Sequence, residues 1–288
     1  MNLKTAEMCG KTNVDETFIK GLVSVIMPTF NGNRMLSDSI DSILNQTYHS
    51  LELLITDDHS DDPETISLLE HYVEKDHRVD VLFLDTNKGP GYARDKSIER
   101  ARGQYIAFCD SDDLWTANKL ELQIAFMNEK HTPLSYTSYI MIDENDQEVG
   151  FNMAPQTMTF AKLKHDNKIG CLTAIYDRKL LGRKYFMPFI RKRQDWGLFL
   201  AILRDSRTTA CGIQQPLAYY RVRGLSVSSN KFSLVKYNIR IYEEVLGYPK
   251  WKSRMYFYCI FMPTYITKII KRKVDSYRFV TRKSKKMC

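Results

Sequence analysis

Four short apolar runs in the first 110 residues each stop at a polar or acidic cluster and then give way to apolar residues at helical spacing, and no other feature limits the possible folds so tightly. Val23–Met27 runs into Pro28-Thr29-Phe30-Asn31-Gly32, and Leu51–Thr56 stops at Asp57-Asp58-His59-Ser60-Asp61-Asp62. Val79–Leu84 leads to Asn87-Lys88-Gly89-Pro90-Gly91, and Gln104–Cys109 ends in Asp110-Ser111-Asp112-Asp113. The helical stripes are Leu36, Ile40, Ile43 and Leu44, then Ile66, Leu69 and Val73 behind Pro63, then Tyr92–Arg102, then Ala117, Leu120, Ile124 and Met127. Strands alternating with helices predict right-handed βαβ units, so the fold class is α/β with a Rossmann-like, mainly parallel sheet and helices on both faces. Ligands of such sheets bind at the carboxyl ends of the strands, so Pro28–Asn31, Asp57/Asp58 and Asp110–Asp113 are expected to meet at one crevice.

Beyond residue 134 the pattern loosens. Leu134–Ile142 and Leu172–Ile175 read as strands, 143–170 as loop-rich, Arg193–Leu203 as a helix and 217–222 as extended. With 288 residues, 43% of them hydrophobic, the chain can bury one substantial core. The expected division is a polar leader at 1–20, a catalytic domain at 21–234 with halves at 21–115 and 116–234, and a basic, aromatic helical extension at 235–288.

Charge is uneven along the chain. The net charge is +8, but residues 250–288 hold twelve Lys or Arg and one acid, a local +11 that leaves −3 for the first 249. Interleaved Trp251, Tyr256, Phe257, Tyr258, Ile260, Phe261, Tyr265, Ile266, Ile269 and Ile270 favour an anionic membrane surface over nucleic acid as the partner of this tail. The leader has no apolar segment of the secretory kind, and Met255–Ile270 is broken by Pro263 and Lys268, short of a membrane span. Six cysteines stand singly, without a CxxC pair, as suits a reducing cytosol. The six histidines have no HxxH pairing, and none is taken as a metal ligand.

The chemistry sits in the polar clusters. Asp110 and Asp112, two apart at a strand end, suit Mg²⁺ or Mn²⁺ if the chain turns there, although Asp110–Asp113 can equally cap the next helix. Asp61 and Asp62 beside Pro63 read as helix caps, which leaves Asp57 and Asp58 to accept a base N–H. Gly89-Pro90-Gly91-Tyr92-Ala93-Arg94 opens like a dinucleotide fingerprint, but Arg94 replaces its last small residue and the loop follows the third strand. A loop over a ligand fits better, with Arg94 toward a phosphate or base. Asp195 in Arg191-Lys192-Arg193-Gln194-Asp195-Trp196 is either a helix cap or a general base, with Arg193 and Trp196 as candidate phosphate or acceptor contacts. Arg221 and Arg223, in Tyr219–Ser229, belong either to a loop closing over a diphosphate or to an ordinary polar loop.

Taken together and in order, VSVIMPTFN at 23–31, SIDSILNQTY at 39–48, Asp57–Ser60, Asn87–Arg94, GQYIAFCDSDD at 103–113 and Gln194-Asp195-Trp196 resemble the family 2 glycosyltransferases with the GT-A fold, over about residues 22–230. The resemblance implies a nucleotide-sugar donor, UDP- or dTDP-linked, with Pro28, Thr29, Asn31 and Asp58 around the nucleoside and Arg94, Asp110 and Ser111 on the donor. It further implies Mn²⁺ or Mg²⁺ on Asp112 of the DxD motif and Asp195 as the base of an inverting transfer. The chain has Gln194-Asp195 where the family commonly has Glu-Asp, so the base role falls to Asp195 alone. Members with this layout build O-antigen, capsule or teichuronic acid on lipid-linked acceptors, which implies a cytoplasmic protein peripheral on the inner face of the membrane. A nucleotidyltransferase or a catalytically silent nucleotide-sugar-binding module are the competing expectations; the first is disfavoured because Pro28–Asn31 stands where a glycine-rich basic loop belongs.

Overall fold

A computed structural model describes residues 18–32, 35–222 and 231–287; most of the expected leader, and Arg223–Ser229 with it, lie outside the described residues. The first half runs β1 (Ile19–Thr29), α1 (Met35–Leu44), β2 (Leu51–Asp57), α2 (Pro63–Lys75), β3 (Val79–Phe83), α3 (Pro90–Arg100) and β4 (Gly103–Phe108). β1 pairs in parallel with β2 and β4, and β2 with β3, so these strands lie in the order β3-β2-β1-β4. The chain leaves β1 for β2 and β3 on one side and returns to β4 on the other. The connections therefore diverge between β1 and β4, where the strand ends open a crevice.

The periodicity explains the layers. Val23, Val25 and Met27 pack on one face with Leu36, Ile40 and Ile43 of α1, while the intervening Ile26 points to the other face with Ile98 and Phe108. All seven residues of β2 are buried, as a parallel strand covered on both faces requires. Asp62 caps α2 by accepting from the Glu64 and Thr65 amides, with Pro63 at the first helical position.

The second half holds β5 (Leu114–Trp115), α4 (Lys119–Lys130), β6 (Leu134–Ile142), β7 (Glu148–Asn152), β8 (Thr157–Met158), α5 (Phe160–His165), β9 (Ile175–Asp177), α6 (Arg178–Leu181), α7 (Gln194–Ser206) and β10 (Ala210–Arg221). The sheet continues through β9, β6 and β10 to β5; β9 is antiparallel to both β4 and β6, whereas β10 is parallel to β6. The expected strand at Leu172–Ile175 starts instead as a 3₁₀ turn, Cys171–Thr173. There the Thr173 and Ala174 amides close on the Gly170 and Cys171 carbonyls, both at 3.0 Å, before β9 begins at Ile175.

After residue 230 come α8 (Lys231–Arg240), α9 (Lys250–Tyr256) and α10 (Met262–Met287), joined by π-helical turns at Ile241–Val245 and Phe257–Phe261. The expected extension is helical, and Ile241, Tyr242, Phe257 and Phe261 within it are buried in the same core cluster as Trp196 and Phe199. The Trp196 ring meets Tyr242 edge-on at 5.8 Å and Phe261 at 5.5 Å. Aromatic residues set among lysines suit a core as well as a bilayer, and burying rings of 150–250 Å² each against α7 is the stronger gain. α10 then crosses β7, with Phe279 stacked on Phe151 at 5.4 Å and the Ser276 hydroxyl accepting from the Phe151 amide at 3.1 Å.

Candidate active site

Each strand end in the crevice is braced before any ligand is considered. Asn31, at positive φ past β1, donates to Asp61 (2.7 Å) and accepts from the Asp61 and Asp62 amides, so its side chain ties β1 to the start of α2. Asp57 closes its own turn on Ser60. Asp58 is buried and accepts the Lys88 and Gly89 amides at 2.8 and 2.7 Å, which holds the β3–α3 loop against the crevice. Gly89 has φ 91°, a conformation that an L side chain resists. Next to it, a Cβ on Gly91 would overlap the Gln194 carboxamide, so glycine at 91 lets the first turns of α3 and α7 touch. Pro28 ends β1 beside Thr29, whose buried hydroxyl has no hydrogen-bond partner among the described residues.

Arg94 is the hub. It is buried on α3 and ion-paired to Asp110 at 2.5 Å. Burial works against its charge, but Asp110, Cys171 and Asp195 around it outweigh that cost and raise its pKa above the ordinary arginine value. Asp110 beyond β4 pairs with this cation directly, and Asp195 in the first turn of α7, 85 positions further along the chain, adds a smaller electrostatic contribution to holding its charge. Asp195 is not the cap of α7. Arg193 holds that position at φ 67° without a side-chain cap bond, and Asp195 instead accepts from Asn167 Nδ2 at 2.9 Å.

The Asp110–Asp113 segment turns tightly, with the Asp113 amide on the Asp110 carbonyl at 3.1 Å, so it does not serve as a simple helix cap. Ser111 and Asp112 lie half-buried on this turn. Asp113 accepts the Arg221 amide at 3.0 Å, while its Oδ2 is buried without a hydrogen-bond partner among the described residues. Burial, followed by Asp112 and Asp110, pushes the Asp113 carboxyl well above the usual range. Of the three carboxyl groups on this turn, Asp110 is paired to Arg94 and Asp113 is buried, which leaves the half-buried Asp112 as the one that could offer a hard oxygen donor to a divalent cation. Asp112 is the residue that would hold it. Among the described residues no group of three or more His, Cys, Asp or Glu is placed to hold a metal ion by itself.

Two expected contacts are corrected. Trp196 is 0% exposed and donates Nε1–H to the Leu163 carbonyl at 2.9 Å, so it packs the core and touches no acceptor. Arg221, 2% exposed, donates to the Asp112 and Asp143 carbonyls and to Asp146 Oδ1 (2.5 Å). Through Nε and Nη1 it therefore braces the Asp110–Asp113 turn from behind, while its Nη2 is buried without a hydrogen-bond partner among the described residues. Arg193, half-buried, lies near Asp166 and Lys268, while Arg223 is outside the described residues. Sequence reasoning missed Asn167 and Cys171. Their only signal was position in a loop-rich stretch, because nothing local marks a loop that returns to the site.

Comparison with known proteins bears on the family and the fold. A family model described as Glycosyl transferase family 2 matches residues 24–187. The chain is 39% identical over 227 residues to TuaG of Bacillus subtilis (strain 168), named as a teichuronic acid biosynthesis glycosyltransferase, covering 78% of this chain and 89% of TuaG. It is 41% identical over 215 residues to WfgD of Escherichia coli, the UDP-Glc:alpha-D-GlcNAc-diphosphoundecaprenol beta-1,3-glucosyltransferase, covering 75% and 83%. Among solved structures, S. aureus TarS 1-349 in complex with UDP-GlcNAc superposes with a TM-score of 0.61 at 22% identity, over 82% of this chain and 70% of that one. The mannosyltransferase PcManGT of Pyrobaculum calidifontis, in complex with GDP-Man and Mn²⁺, gives 0.58 at 16% identity, over 79% and 64%. Both share the fold.

Proposed function

The chain belongs to glycosyl transferase family 2, and from that premise we propose that it transfers a sugar, with inversion, from a UDP- or dTDP-sugar to a hydroxyl of a lipid-linked saccharide during surface-polysaccharide synthesis. The observation that supports this is the contact of the first turns of α3 and α7 at Gly91 and Gln194, which brings Asp195 to the side of the crevice where Arg94 pairs with Asp110. Pro28, Thr29 and Asn31 with Asp58 surround the nucleoside, and Arg94, Asp110 and Ser111 hold the donor. Asp195 takes the proton of the acceptor hydroxyl as its oxygen attacks the anomeric carbon and the nucleoside diphosphate departs. Mn²⁺ or Mg²⁺ on Asp112, when bound, neutralises the charge developing on that diphosphate. Arg221 and Asp113 keep the turn that presents Asp112 in place.

The acceptor class is supported by the likeness to WfgD, which acts on a diphosphoundecaprenol substrate. Such an acceptor places the enzyme on an anionic membrane, as a peripheral protein of the inner cytoplasmic face. α10 supports this placement. Ile266, Ile270, Val274 and Tyr277 recur at spacings of four, four and three, forming an outward stripe with Ile270 58% and Tyr277 72% exposed. Exposed Lys271, Lys273 and Arg278 border the stripe, a pattern suited to lying in a lipid interface. No helix among the described residues is long and apolar enough to cross a membrane.

The test is nucleotide release from a panel of UDP-, dTDP- and GDP-sugars with Mn²⁺ or Mg²⁺. One donor is expected to be consumed, with Asp112→Ala and Asp195→Asn turning over far more slowly and the product's anomeric configuration inverted. Pyrophosphate release would mark a nucleotidyltransferase, donor binding without turnover a silent module, and retention of configuration would overturn the mechanism.

A further inference from the structure

The C-terminal helix reaches the active site through its inner face. At its start, the Thr264 hydroxyl donates to the His165 carbonyl at 3.0 Å. One turn on, Lys268 Nζ donates to Asp166 Oδ1 at 3.2 Å and to the Asn167 carbonyl, and lies 3.1 Å from Asp166 Oδ2 as an ion pair. The last residue of α5 and the two that follow it are thus pinned by α10. Asn167 itself is buried; its Oδ1 accepts the Ile169 amide at 3.1 Å, which fixes the orientation of the carboxamide and leaves Nδ2 to donate to Asp195 Oδ2 at 2.9 Å. A contiguous path of polar contacts therefore runs from Lys268 through Asn167 to Asp195, across 101 and 28 positions of sequence. In this path Asp166 is buried and Lys268 is half-buried. Burial pushes the Asp166 carboxyl up and the Lys268 ammonium down, and their pairing opposes both shifts.

We propose that Asn167 is the positioning residue of Asp195, and that Lys268 of α10 holds Asn167 in place, so that the C-terminal extension is a working part of the active site. A carboxylate in the first turn of a helix can rotate about χ1 and χ2. One N–H donor on Oδ2 leaves Oδ1 as the oxygen presented to an acceptor hydroxyl, and a donor anchored at its own backbone keeps that choice constant. The outer, lipid-facing stripe and the inner, Lys268-bearing face then belong to one helix, which links the acceptor's membrane to the group that activates the acceptor. This proposal rests on Asp195 acting as the base.

The experiment measures steady-state turnover of the sugar donor selected above, with Mn²⁺ and water as acceptor, in the full chain. Losing a hydrogen bond to a charged group is expected to lower kcat of Asn167→Ala by about 10- to 100-fold, with donor KM within about twofold of wild type. In the Asp195→Asn background the same change is expected to lower kcat no further, since the carboxylate it orients is gone. Lys268→Met should fall in the same direction and Lys268→Arg should recover part of the loss. Asn167→Ala leaves the Lys268–Asp166 pair intact, so the result stands even if Lys268→Met fails to fold. Unchanged kcat in Asn167→Ala, or an equal further loss in the Asp195→Asn background, would overturn the proposal. Wild-type kcat in Lys268→Met would overturn the part assigned to α10. Full activity of Asp195→Asn, by contrast, would remove the base itself and so is told apart from a failure of Asn167.

Discussion

The β1–β4 half and the helices after residue 230 are built from similar amounts of apolar sequence, yet only the first half declares its packing locally. In β1–β4 each strand buries alternate residues on two faces and each helix covers the strands beside it, so the period of the pattern and the side that is buried are the same information. In α9 and α10 two apolar faces compete on one helical segment. Phe257 and Phe261 go inward against Trp196, while Ile266, Ile270, Val274 and Tyr277 stay outward. The π-helical turn at Phe257–Phe261 separates α9 from α10, and an inserted residue of that kind rotates the face that follows. Composition cannot register such a rotation.

The comparison can be broken most forcefully at the site. If the crevice of the first half works with α7 as described, Asp195→Asn lowers kcat on the order of 10²- to 10⁴-fold while nucleotide binding, followed by calorimetry, stays near wild type. Next in size, Phe261→Ala is expected to cost about 3–5 kcal/mol in chemical denaturation, because its ring is core. An unchanged midpoint would restore the view of a separable tail. For the same reason, deleting residues from 250 onward is expected to disturb the whole protein, not merely its affinity for vesicles.

A smaller effect lies at the start of the second half. Lys119 is fully buried, with its ammonium 4.0 Å from the Trp115 ring and 2.9 Å from Gln123 Oε1, and burial holds its pKa down at about 7 against 10.5. Between those values the unfolded chain binds the proton that the folded chain has shed. Stability should therefore rise as pH climbs from about 7 to 10.5, and be lowest below 7. Lys119→Met should flatten this rise in denaturation curves; a slope that survives the substitution would assign it elsewhere. Smallest in stability, Ile270→Glu on the outer stripe of α10 should shift folding by no more than about 0.5 kcal/mol. It should nonetheless reduce cosedimentation with vesicles containing anionic lipid, and equal binding would remove the membrane role of that stripe.

Much of the candidate site was legible because its residues end strands. Asp58, Asp110 and Asp112 stand where apolar runs stop, and in a parallel sheet such positions share one edge. Arg221 and Trp196 misled for a common reason. Guanidinium and indole groups serve cores and ligands alike, and their partners, Asp146 for one and Tyr242 for the other, lie 75 and 46 positions away. Asn167 carried no mark at all, since an asparagine in a loop is ordinary until the loop is placed against α7.

The sequence by itself determined the α/β class, the order of the strand–helix units in the first half and the carboxylates at the strand ends, because hydrophobic period and turn chemistry act over a few residues. Only the tertiary structure decided which aromatic rings of the extension fill the core, that Arg221 braces the acidic turn, and that Lys268 reaches Asn167 and through it Asp195. Those outcomes depend on burial and hydrogen bonding between segments up to about a hundred residues apart, where the free energy is set by what each group meets and not by its neighbours in the chain.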